Sequence, residues 1–188
     1  MMDPFSYLSV LLSIILGLAI TQVLQGYRAL LLARGRIHTD PAPLIWSGLV
    51  LLFAAQAWWA SFGLNARTKW DFLDFVAILL QMGLLYMLSA LVLPDVPSEE
   101  PVDLARHFER HRKPFFWFLI AMLASSIAKE AVLEHRPPTP LNLTFHLVLA
   151  AIAIAGIVLT SKKAQLLIAV VATIGFLSYV ALLFARLA

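Results

Sequence analysis

The chain has 188 residues, 61% of them hydrophobic and 13% charged, and a mean hydropathy of +0.86. An ordinary soluble domain of this length carries far more charge on its surface, so the composition points to an all-α integral membrane protein, one domain over 1–188. The excess of 14 Lys and Arg over 11 Asp and Glu is scattered among loops, which speaks against a nucleic-acid partner, and with 0 cysteines the chain holds no disulfide, thiolate metal site or cysteine nucleophile.

The first apolar run, 5–28, carries Ser6, Ser9, Ser13, Gly17, Thr21, Gln25 and Arg28 at steps of three and four. At about 100° per residue these positions share one side of a helix. The face is expected to point at protein or water, with Ser9, Ser13, Gly17 and Thr21 forming a small-xxx-small run suited to close helix contact. The N-terminal "MMDPF" has no basic n-region and the run outlasts a signal-peptide core, so this span is expected to stay as an anchor. Gly35, Pro41 and Pro43 break the helix before a second run at 44–64. "NARTKWD" then leads into a third at 72–93.

The connection 94–113 reads as a short interfacial helix between spans three and four. Ser98 is its expected cap, Glu99, Glu100 and Asp103 fill its first turns, and Arg110, Arg112 and Lys113 fill its last. Leu104, Ala105 and Phe108 are its apolar face, expected at the lipid headgroup boundary. A fourth span follows at 115–134, a fifth at 141–160 and a sixth at 164–187. Only "TSKK" divides the last two, and a tight turn is required there because one unbroken helix would overshoot the bilayer.

Nine Lys and Arg fall at the loops joining spans 1–2, 3–4 and 5–6, against five on the other side. The positive-inside rule therefore places both termini outside, and the lack of targeting signals suggests a bacterial inner membrane.

Polar side chains nearest the midplane are all neutral: Ser13, Gln56, Gln81, Ser125, Ser126 and Ser178. They are expected either to line a pathway or to hydrogen-bond between helices. The pathway candidates are Ser13, Thr21, Gln56, Gln81, Ser125 and Ser126; the two glutamines stand out because a bulky amide should not face lipid. The absence of an ionisable midplane group counts against a proton-driven pump but not against a passive pore. Asp71, Asp74 and Glu130 are candidates for an outer mouth that concentrates cations; the alternative is that the two aspartates serve the helix dipole and Glu130 reaches headgroups. His146, one turn after Asn142, is expected to be a packed, hydrogen-bonded histidine, since no second histidine lies at its depth to complete a haem site.

No phosphate loop, nucleophile elbow or HExxH motif is present, so neither catalysis nor a cofactor is expected. The leading functional expectation is a homo-oligomeric channel or facilitator for an inorganic ion or small polar solute, with the lipid bilayer and further copies of the chain as partners. The alternative is a non-conducting accessory subunit whose polar faces dock another membrane protein, which six lipid-exposed apolar faces with polar residues fully satisfied within one protomer would favour. A third reading, an enzyme acting on lipid, recruits Asp103, His107 and His111, which repeat at i, i+4, i+8.

Overall fold

Only a helix satisfies all its backbone groups within one lipid-facing segment, and each of the six apolar runs is helical in the computed structural model, which describes residues 4–33, 35–67, 69–95 and 101–183. The helices are α1 (Pro4–Leu32), α2 (Pro41–Ser61, followed by a 3₁₀ turn, Phe62–Ala66), α3 (Phe72–Val92), α4 (Leu104–Glu134), α5 (Pro140–Val158) and α6 (Lys162–Leu183). All six are long and apolar enough to cross a membrane.

Local chemistry sets most of their starts. The Asp40 carboxylate accepts the Ala42 N–H at 3.0 Å, and Asp71 and Asp74 close a reciprocal capping box on α3. In "TSKK", Ser161 Oγ accepts the Ala164 N–H at 3.2 Å. That cap supplies the turn which hydropathy alone marks so weakly.

The 94–113 stretch departs from expectation. Ser98, Glu99 and Glu100 lie outside the described residues; Asp103 is the cap, accepting the Arg106 N–H at 3.1 Å, and that bond holds its carboxyl below the usual range. From Leu104 the helix runs through Pro114 to Glu134 as one element, with no separate interfacial helix among the described residues. Leu104 and Phe108 face protein, fully buried, and not headgroups. The reason is an edge-to-face aromatic cluster, with Trp46 5.3 Å from both Phe115 and Phe116, and Phe108 5.9 Å from Phe115. Its burial outweighs the cost of a proline in a helix interior, about 3 kcal/mol. A two-residue parallel pairing, β1 (Ile37–His38) with β2 (Val102–Asp103), joins the α1–α2 and α3–α4 connections on what we term the strand face.

Helices α2 to α6 pack in sequence, and α6 returns to α2, so these five close a ring. Helix α1 lies outside it, in the groove between α2 and α3, burying Leu8, Leu12, Leu16, Ala19 and Val23. The polar side of α1 is therefore the outer one: Ser13, Gly17, Thr21, Gln25 and Arg28 are exposed, contrary to the expected contact with protein in this chain. Two serines tolerate this position because they bond to their own helix, Ser9 Oγ to Ser6 O at 2.9 Å and Ser13 Oγ to Ser9 O at 2.6 Å. The larger apolar residues take the packing side because they bury more area.

Arg112, 5% exposed, reaches from α4 to the end of α5 and donates to the carbonyls of Gly156, Ile157 (2.7 Å) and Leu159 (3.4 Å). Gln165 of α6 donates to Gly156 O at 3.0 Å and to Leu159 O. Gly156 itself lies against Phe116, and a Cβ there would overlap the ring. Gly156→Ala is expected to destabilise the protein by about 1–3 kcal/mol through overpacking, measured by thermal unfolding in detergent. An unchanged midpoint would show that the α4–α5 contact yields without strain.

Candidate ligand-binding cavity

The half of the ring away from the strand face, toward the start of α1 and the end of α6 and here called the terminal face, encloses a cavity of about 490 Å³. Each helix contributes one inward stripe at helical spacing: Phe53, Gln56, Ala57 and Ala60 on α2; Ser126, Lys129, Glu130 and Leu133 on α4; Asn142, Phe145, His146 and Leu149 on α5. Gln81, Met82 and Leu85 of α3 and Phe176 and Tyr179 of α6 complete the wall. Exposed Gly63, Ala66 and Glu134 stand at the rim, on the face where the 3₁₀ connection and the α4–α5 turn lie.

The polar wall is organised by hydrogen bonds from α5. Asn142 Nδ2 donates to Glu130 Oε2, which ties α5 to α4. His146 Nδ1 lies 2.9 Å from Asn142 O. A carbonyl oxygen only accepts, so Nδ1 carries a proton. Two acceptors are left over: Asn142 Oδ1 and Gln81 Oε1 are buried without a protein partner. Asn142 is only 9% exposed, so its carbonyl oxygen has lost bulk water as well. Lys129, on the same wall, forms no ion pair among the described residues.

The floor is apolar. Phe53 and Phe176 meet edge to face at 4.6 Å, beside Met82, Leu85 and Leu149. Toward the strand face the bundle is filled by Trp46, Leu49, Leu88, Phe115, Phe116 and Leu119, each at most 1% exposed. The cavity is therefore a vestibule in one half of the bundle.

Arg67 braces the mouth. Its guanidinium pairs with Asp74 at 2.8 Å, donates to Leu133 O of α4 and lies 5.5 Å from the Trp70 ring. Asp74, 1% exposed, engages Arg67 and the α3 cap through Oδ2, its Oδ1 buried without a protein partner, and exposed Asp71 caps the same helix.

Of the residues expected to line a pathway, the fold brings Gln56, Gln81 and Ser126 together, with Glu130 beside them. Ser125 is turned into packing and donates to Met122 O at 2.9 Å. Ser13 and Thr21 lie on the outer surface of α1. His146 is packed and hydrogen-bonded as expected, but its place on the cavity wall with Asn142 was not foreseen, and neither were Tyr179 and Arg67 as cavity residues. A signal for two of them exists: Asn142 and His146 repeat the i, i+4 spacing of Ser126 and Glu130.

The histidines of α4 are engaged with the backbone, His107 Nε2 with Leu91 O at 3.2 Å and His111 Nδ1 with His107 O at 2.9 Å. No group of three metal-ligating side chains occurs among the described residues. A second, mostly apolar hollow of about 570 Å³ lies near the strand face, between Tyr27, Ile37, Leu44 and Leu104. No protein-family model, curated protein or solved structure matches the chain.

Proposed function

We propose that the protein is a membrane facilitator for a small polar solute, which enters the vestibule from the terminal face and passes when the Phe53–Phe176 floor parts. The observation that carries this reading is the pair of buried, unpartnered acceptors, Asn142 Oδ1 and Gln81 Oε1, in a cavity large enough for a small molecule. Polar groups fully satisfied within the protomer would favour an accessory subunit, and these two acceptors have no protein partner. Against the lipid-enzyme reading, Asp103, His107 and His111 are each engaged in a backbone hydrogen bond. By the distribution of Lys and Arg the terminal face is the outer one, and the membrane that fits is a bacterial inner membrane.

The reading predicts uptake into proteoliposomes of at least one labelled solute from a panel of potassium, chloride, glycerol and neutral amino acids, above empty vesicles. Gln56→Leu and Gln81→Leu are expected to lower it several-fold with the protein still assembled. Background rates for the whole panel, with insertion verified, would overturn the proposal.

A further inference from the structure

Two opposite charges stand in the vestibule without pairing to each other. Glu130 is oriented by Asn142, and Lys129, the preceding residue, forms no ion pair among the described residues. Both sit on the cavity wall one or two turns above an apolar floor. A solute carrying only a positive charge would leave the lysine uncompensated, and one carrying only a negative charge would leave the glutamate so, each in a site with reduced access to water. A zwitterion satisfies both. Its ammonium has three donors, and acceptors for them are present in Glu130, in Asn142 Oδ1 and in Gln81 Oε1, the last two buried and unpartnered. Below them the edge-to-face pair Phe53 and Phe176 offers contact for an apolar substituent.

Building on the facilitator reading, we infer that the solute is a free zwitterion with an apolar side chain, a hydrophobic α-amino acid in chemical class. Its ammonium lies on Glu130, Asn142 and Gln81, its carboxylate on Lys129, and its side chain on the floor. The volume of about 490 Å³ accommodates such a molecule.

The test is equilibrium binding to the full-length protein in detergent, by calorimetry, with leucine, 3-methylbutylamine, 4-methylpentanoate and dihexanoylphosphatidylethanolamine as probes. Leucine is expected to bind at least tenfold more tightly than the amine or the acid, which each carry one of its charges, and more tightly than the short-chain lipid. Glu130→Gln and Lys129→Met are each expected to weaken leucine at least tenfold. The comparison among probes uses the wild type alone, so it stands even if a variant fails to fold. Equal binding of the amine or the acid, tighter binding of the lipid, or no binding of leucine overturns the inference. Leucine silent while another panel solute is taken up would remove the amino acid and leave the facilitator. Leucine bound without any uptake would do the reverse.

Discussion

Replacing Arg112 by methionine is expected to destabilise the protein by about 3 kcal/mol, read from the unfolding midpoint of purified protein in detergent. The guanidinium donates to three carbonyls at the end of α5, on Gly156, Ile157 and Leu159. These are groups that the helix cannot satisfy itself. Losing a donor to buried carbonyls costs roughly 1–3 kcal/mol each, and a cation at a helix C-terminus adds about 0.3–1. Against this stands the desolvation of the arginine, which methionine avoids while keeping most of the stem's packing. Gln165 still donates to Gly156 O and Leu159 O, which limits the loss. Arg112→Lys keeps the cation and is expected to recover part of it. A methionine variant as stable as the wild type would mean that the buried charge and its bonds cancel, and that Gln165, Ser161 and packing suffice to hold the α5–α6 turn.

The number and places of the helices were legible because length and hydropathy fix what can span a bilayer, and the structural boundaries follow the apolar runs closely except at α4. There, tertiary burial overrode local reading. Ridding Phe108, Phe115 and Phe116 of solvent required a continuous helix through Pro114, and nothing in the charge pattern of 94–113 announces that Phe108 joins a cluster with Phe115, Phe116 and the distant Trp46. The polar stripe of α1 misled for a related reason. Periodicity shows that two faces differ but not which one the neighbours take, and serines that bond to their own backbone carry no demand for a protein partner. For the cavity, Gln56, Gln81, Ser126 and Glu130 were legible because bulky amides and a carboxylate are costly against lipid. The role of Asn142 was less legible, since it lies in a bond to Glu130 of α4 that only the fold creates, and His146 was read as a packed histidine without its place on the cavity wall.

Phe176→Ala is expected to have the largest effect on the floor of the vestibule. The ring is 4% exposed, 4.6 Å from Phe53 and 6.0 Å from Tyr179, so truncation removes a packed aromatic from between α2 and α6. Phenylalanine-to-alanine changes at such sites cost about 3–5 kcal/mol, because the void does not fully collapse. Here the void would join a cavity that already exists, and water or solute filling it would moderate the loss. The functional consequence is opposite in sign to the structural one. If the floor is the barrier to passage, the variant should take up its solute faster than wild type and discriminate less among solutes, at equal reconstituted amounts. Phe176→Leu, which keeps apolar volume, should leave stability closer to wild type and raise uptake less. Uptake unchanged in both variants would place the barrier deeper, in the packing of Trp46, Leu49, Phe115 and Phe116 toward the strand face.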